Sequence, residues 1–225
     1  YTAKNDRNIT SRVMELHQRS GIGNVAIMQY MLSWYRMPDS FENTIWLSQL
    51  QQGLAIKYAA EHWRRNMPRC MGSLYWQLND TWPVASWASI DYHGRWKALH
   101  YLAKKFYAPV LISGLEDGFK GTVEIHLTND RLMPVSGTCA WRLTTAAGRP
   151  VVGGAKRARI DANRTQRIDT LNLKPWIERY TDRDLIVWIE FAEGGKVISR
   201  NVVTFVRPKH IELQDPEIAF GVKRN

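Results

Sequence analysis

Gly72-Ser73-Leu74-Tyr75-Trp76-Gln77-Leu78-Asn79-Asp80-Thr81-Trp82-Pro83-Val84-Ala85-Ser86-Trp87, continued through Ile90-Asp91-Tyr92-His93-Gly94-Arg95-Trp96-Lys97-Ala98-Leu99-His100-Tyr101 to Tyr107, is the stretch on which the chain's organisation turns. Gly72–Leu78 is an apolar run too short for a helix. Pro68 and Gly72 bound it before, and Asn79-Asp80 after, so its pattern predicts a short strand. The strand does not alternate cleanly, which suits a parallel strand covered on both faces. An aromatic-rich loop follows. Trp96, Leu99, Ala103 and Phe106 then mark an amphipathic helix, with Lys104-Lys105 well placed at its C-terminal end and Pro109 closing it. Trp76, Gln77, Asn79 and Asp80 gather at the C-terminal end of the strand, with Trp82 and Trp87 close behind. A flat apolar ring beside amide and carboxylate groups is what a sugar pocket requires. The C–H face of a pyranose packs on the ring and its hydroxyls take hydrogen bonds.

Before this stretch the sequence reads as helices. A short pattern surrounds Val13, Met14 and His17, and Gly21 and Gly23 break it. A second helix runs from Asn24 with Val25, Met28, Leu32 and Tyr35 at three- and four-residue steps, until Pro38. Ser40 or Asn43 can cap a long third helix reaching about Asn66. Its apolar set includes Ile45, Leu50, Leu54, Tyr58 and Trp63, with Gly53 as a weak point costing up to about 1 kcal/mol relative to Ala. A long helix feeding a buried strand is half of an α/β repeat. Residues 1–108 therefore read as a slice of an α/β domain that cannot close a sheet by itself.

The period changes from Val110. Val123, Ile125 and Leu127 alternate, as do Cys139, Trp141 and Leu143. Further strands are expected over Ala155–Asp161, Gln166–Leu173, Leu185–Phe191 and Lys196–Val206, with turns at Asn129-Asp130, Ala147-Gly148-Arg149-Pro150 and Glu193-Gly194-Gly195. About seven short strands in this space predict an immunoglobulin-like antiparallel β-sandwich over residues 109–207. Trp141 and Trp188 are read as core. Residues 208–225 read as a linker, with Ile218–Val222 as the possible opening of a further β domain.

Composition narrows the partners. The 225 residues are 44% hydrophobic and 23% charged, within the globular range. Ten tryptophans are many, and Trp34, Trp46, Trp63, Trp76, Trp82, Trp87 and Trp96 all precede residue 100, which supports two domains. A net charge of +10 raises nucleic acid as a partner, but the excess splits into +6 up to Ala108 and +4 after it. No run of like charge exceeds a pair such as Arg64-Arg65, so nothing follows a phosphate backbone. Cys70 and Cys139 fit no metal-ligand spacing and do not establish an oxidising compartment. No apolar run reaches the roughly 18 residues of a membrane span. Neither nucleic acid, membrane, metal nor cofactor is expected as a partner. Tyr1 in place of an initiator methionine suggests a chain that starts inside a longer protein.

The run Leu74–Asp80, Trp82-Pro83, Ser86-Trp87, Ile90-Asp91-Tyr92 and Gly94–Tyr101 closely resembles the end of the catalytic barrel of family 2 glycoside hydrolases, and among them the β-mannosidases. The resemblance extends from the N-terminus to about Pro216 and is most specific over Trp76–Tyr101. It implies that residues 1–108 are the C-terminal part of a (β/α)8 TIM barrel, with Gly72–Leu78 as its eighth strand. Retaining hydrolysis needs two carboxyl groups about 5–5.5 Å apart. In the family these lie in a Ser-Glu-Phe-Gly-like motif and an Asn-Glu motif, and neither occurs here. Both would precede Tyr1, in the missing N-terminal part of the same parent chain. The resemblance makes Trp76 the aromatic floor under the sugar beside the cleaved bond, with Asn79 and Asp80 as further substrate-binding candidates. The substrate implied is a β-mannoside oligosaccharide or glycoconjugate with terminal non-reducing β-D-mannose.

Several residues admit plainer roles. An Asn-Asp pair after a strand also forms loops, and Asp91 most simply makes a turn or caps the last helix. Lys97 can bond back to the loop. Glu15, Glu42 and Glu61 read as solvated faces. His93 and His100 lie near Ser86, Ser89 and Asp91, but nothing resembles a nucleophile elbow, so a Ser–His–Asp site is set aside. Two alternatives remain open: a β-galactosidase or β-glucuronidase of the same family, and a non-catalytic carbohydrate-binding or scaffolding sandwich. The latter requires an exposed aromatic strip on a sheet face, whereas Trp141, Leu143, Trp188 and Ile186 are spaced as buried residues.

Overall fold

Ser40 supplies the first strong local signal that the structure obeys. In the computed structural model, which describes residues 1–219 and 221, its side chain accepts from the Asn43 amide and opens a 25-residue helix. The helices before the sandwich are α1 (Arg12–Leu16), α2 (Gly23–Trp34), α3 (Phe41–Arg65) and α4 (Ala98–Phe106). Ser11 caps α1 by accepting from the Met14 amide. Gly53 is needed rather than merely tolerated. A Cβ there would lie 2.7 Å from Leu102 Cδ1 and 3.3 Å from the Leu99 amide, so its absence lets α3 and α4 cross closely. Around that crossing Ala60, Leu99, Ala103 and Phe106 form a small core.

The second half is a two-layer antiparallel sandwich of β1 (Val110–Asp117), β2 (Thr122–Asn129), β3 (Val135–Thr145), β4 (Pro150–Ile160), β5 (Arg164–Asn172), β6 (Leu185–Glu193) and β7 (Lys196–Thr204). One sheet has the order β1-β2-β5 and the other β4-β3-β6-β7. Their facing sides bury Val123, Ile125, Leu127, Cys139, Leu143, Val187, Ile189 and Phe191. At roughly 1.5–3 kcal/mol for each large apolar side chain, this is the main stabilising layer. The turns use the expected glycines, with φ +57° at Gly194 and +81° at Gly195 in the β6–β7 hairpin. Burial pushes the Cys139 thiol up to about 11, and Asp169 adds to it. The molecule as a whole is mostly β-sheet with attached helices.

A charged seam joins helices to sandwich. Arg64 donates to the Phe106 and Ala108 carbonyls and to Asp130. Glu61 accepts from Asn201 Nδ2 at 2.7 Å and pairs with Lys57 at 3.1 Å. Beyond β7, Arg207 and Lys209 donate to the carbonyls of Ser33 and Leu32, the orphan acceptors at the C-terminal end of α2.

Several expectations need correction. Gly72–Leu78 is extended but forms no ladder with any described strand, and Leu74 is 97% exposed rather than buried. A parallel strand takes its hydrogen bonds from neighbours on both edges, and here the only backbone partners are the Ser89 and Ile90 amides, which meet the Gln77 and Leu78 carbonyls at its end. Glu61 is 2% exposed, because the solvated face expected for it is covered by the sandwich. On α3, Ile45 and Trp63 of the expected apolar face are exposed, while the buried set includes Gln51 and Gly53. Trp188 points outward, since Leu185, Val187, Ile189 and Phe191 set the inward phase of β6. The sequence reading also missed α5 (Lys174–Tyr180), which Pro175 begins inside the β5–β6 connection. Of the possible strand at Ile218–Val222, Ile218 and Ala219 belong to no strand, and Val222 lies outside the described residues.

Candidate functional site

The loop after Trp76 is held by its own backbone. The Ser89 and Ile90 amides donate to the carbonyls of Gln77 (3.0 Å) and Leu78 (2.8 Å), and the Asp80 amide donates to the Ile90 carbonyl (3.2 Å). The Lys97 amide closes onto the Ser89 carbonyl at 2.9 Å, tying the start of α4 to the same point. Asp91 makes a turn, not a helix cap. Its Oδ1 accepts from the His93 and Arg95 amides and its Oδ2 from Arg95 Nε at 2.6 Å. Burial pushes its carboxyl up, but these donors outweigh that and hold it below the usual carboxylate range.

Asp80 is the anchor of the loop. It is 6% exposed and accepts from Ser86 Oγ at 2.6 Å and Lys97 Nζ at 3.4 Å. Burial lowers the Lys97 ammonium below the ordinary lysine range, and Asp80 opposes that shift. Tyr1 is close enough for the same carboxylate, together with burial, to raise its phenol. Next to this anchor Tyr1, His17 and Trp82 stack at 4.6 and 5.0 Å, and Arg19 lies over Trp82 at 4.7 Å. Ala85 donates to the His17 carbonyl, so the loop is also pinned to the end of α1.

Trp76, by contrast, is open: 76% of its surface faces solvent, and its peptide bond to Gln77 is cis. Asn79 is exposed beside it, its Nδ2 on the Asp80 carbonyl at 3.3 Å. Gln77 is fixed from both ends, since Nε2 donates to the Asn79 carbonyl and Oε1 accepts from Trp87 Nε1 at 3.1 Å. Trp87 is itself held by Gln52 of α3, which donates to its carbonyl. The structure therefore brings an exposed ring and an exposed amide onto a stiff loop, and turns the Asp80 carboxylate inward. Ser89 is sealed from solvent between Tyr75 (2.8 Å) and His100 Nδ1 (3.0 Å), a structural bridge with no access for a substrate.

Residues 121–210 match the family described as a mannosidase Ig/CBM-like domain. Beta-mannosidase A of Aspergillus terreus is 30% identical over 210 residues, covering 84% of this chain. A beta-mannosidase of Rattus norvegicus is 38% identical over 125 residues, covering half of it. The crystal structure of the Dictyoglomus thermophilum beta-D-mannosidase superposes with a TM-score of 0.86 at 28% identity, over 94% of this chain. These likenesses support a segment of the β-mannosidase type within glycoside hydrolase family 2. The chain spans 22% of the Aspergillus relative, 14% of the rat one and 26% of the Dictyoglomus chain.

Within that segment the sequence reading missed the Trp87–Gln77 bond and the Gln52 contact from α3. Neither had a signal, because both partners are long-range and polar. The Asp80–Lys97 pair was half visible, as a lysine expected to reach back to the loop. Among the described residues no group of three or more His, Cys, Asp or Glu side chains could hold a metal, and no helix is long and apolar enough to cross a membrane.

Proposed function

We propose that this chain forms the last part of the catalytic (β/α)8 barrel, residues 1–108, and the following sandwich, residues 109–207, of a retaining exo-β-mannosidase that removes terminal non-reducing β-D-mannose. The observation that carries the reading is the open indole of Trp76 on a loop locked through Gln77, Asp80 and Lys97. Trp76 is the floor of the sugar pocket and Asn79 offers an amide at its rim. Asp80, engaged by Ser86 and Lys97, acts on the sugar by holding that rim in place. The segment Gly72–Trp76, which forms no ladder, and the open apolar side chains Val25, Tyr30, Ile45 and Trp46 suit contact with the rest of a barrel.

The reactive carboxylates belong to parent chain outside these residues. Glu61 is sealed in the seam and Glu42 pairs with Arg7 in solvent, which suits neither for the role. Binding energy from the indole serves to position the sugar, so its loss raises the barrier rather than abolishing chemistry. Trp76→Ala in the parent enzyme should lower kcat/KM for a chromogenic β-mannoside by about 100-fold. This chain alone should give no turnover. An unchanged kcat/KM removes Trp76 from the site, and turnover by the chain alone overturns the placement of the carboxylates.

A further inference from the structure

Trp188 sits on the outer face of the four-stranded sheet, 37% exposed, where the sequence pattern had placed core. Its cross-strand partners are Arg142 on β3 and Val202 on β7, and one step along the face Glu190 opposes Arg200. The indole is fixed, because Nε1 donates to Thr144 Oγ1 at 2.9 Å. The Arg142 guanidinium lies 5.5 Å from the ring centroid, and Arg200 Nε is 3.4 Å from the Glu190 carboxylate. This face does not stand open on a flat surface. It is one wall of a cleft of about 810 Å³ whose other wall includes Trp34 of α2, Tyr58 of α3 and Lys105 of α4. Ligand sites commonly enclose about 300–1,000 Å³.

We propose that this cleft is a second carbohydrate-binding site, separate from the loop of Trp76, in which a pyranose of a mannose-based oligosaccharide stacks on Trp188. The wall chemistry selects the ligand class. A wholly apolar occupant would desolvate the Arg142 guanidinium, the Lys105 ammonium and the Glu190–Arg200 pair with no new hydrogen bonds in return. A nucleic-acid strand would run its phosphates past the Glu190 carboxylate. A sugar satisfies both kinds of surface, since its C–H face covers the indole while its hydroxyls donate to the carboxylate and accept from the guanidinium groups. Glu190 is engaged by Arg200 and Glu61 by Lys57 and Asn201, so the cleft carboxylates are occupied by protein partners and the site is read as one that binds and does not react. Only the choice of a mannose-based ligand rests on the proposed function; the site itself rests on the cleft.

The test is calorimetric titration of the 225-residue chain with β-1,4-mannotetraose. Saturable binding is expected, weakened about tenfold or more by Trp188→Ala and severalfold by Arg142→Gln. Both sheet substitutions are on a solvent-facing side of β-strands, and near-ultraviolet circular dichroism checks the fold of each variant. Trp188→Phe, which keeps a ring, should retain part of the affinity. Absence of binding overturns the proposal, as does binding that survives Trp188→Ala and Arg142→Gln. Binding lost only in Trp76→Ala overturns it too, while supporting the catalytic reading. Binding at Trp188 in a protein whose parent ignores β-mannosides would leave this site standing and remove the proposed activity.

Discussion

Arg64→Ala is the most informative test of how helices and sandwich are joined. The Arg64 side chain is 8% exposed and holds three acceptors at once: the Phe106 and Ala108 carbonyls and the Asp130 carboxylate at 2.8 Å. Both carbonyls lie where α4 ends and β1 begins, so they belong to the one covalent connection between the two halves. Truncation leaves them without a donor, at about 1–3 kcal/mol each where water does not enter. The Asp130 end is 43% exposed, and that pair adds at most about 1 kcal/mol. Burial lowers the guanidinium pKa, the mark of a desolvation cost that the wild type carries and the variant escapes. The net loss expected is about 3–5 kcal/mol. For a chain of this size that lowers Tm by roughly 6–20 °C. Thermal melts of Arg64→Ala and Asp130→Asn followed by circular dichroism measure it, with Asp130→Asn expected to lose less than about 1 kcal/mol. The reasoning fails if Arg64→Ala loses under about 1 kcal/mol, or if Asp130→Asn matches it.

Two further predictions concern the sandwich. Burial raises the Glu116 carboxyl above its ordinary range, against the opposing effects of its own backbone and Arg65. A folded-state pKa above the unfolded one favours the fold only while the group is protonated, and that contribution is lost as pH rises through the folded value. Glu116→Gln should therefore raise Tm at about pH 7 and change it little at about pH 3.5; an equal shift at both, or a loss at neutral pH, contradicts this. At Gly137 an added Cβ would fall 2.1 Å from the Ala192 carbonyl oxygen and 2.7 Å from the Phe191 ring. Gly137→Ala should cost about 1–3 kcal/mol in urea unfolding. Gly72→Ala, with nothing within 4 Å of the new methyl, should stay within about 0.5 kcal/mol, and equal effects would show that the close approach does not matter.

The readability of this chain followed the range of the interactions. Ser40, Pro68, Pro109 and the Gly194-Gly195 pair act within a few residues, so helix ends and the last hairpin were legible. Strand periodicity marked the sandwich because one face of each strand meets the core. It failed at Trp188, where a large ring suggested burial but the phase of Leu185, Val187 and Ile189 turned it out. It failed again at Gly72–Leu78, whose short apolar pattern suggested a strand but which belongs to no strand among the described residues.

The sequence by itself determined the local switches: caps, turns, the change from helical to alternating period, and an aromatic loop whose residues resemble a sugar site. Tertiary structure alone decided which of those side chains face water. A charge such as Glu61 is buried because Asn201, 140 residues away, comes to meet it, and no local pattern encodes that approach. The openness of Trp76, the inward turn of Asp80 and the outward turn of Trp188 are all consequences of packing between distant segments. Local propensity sets what an element is; the free energy of burying it against a particular neighbour sets which face is left to bind.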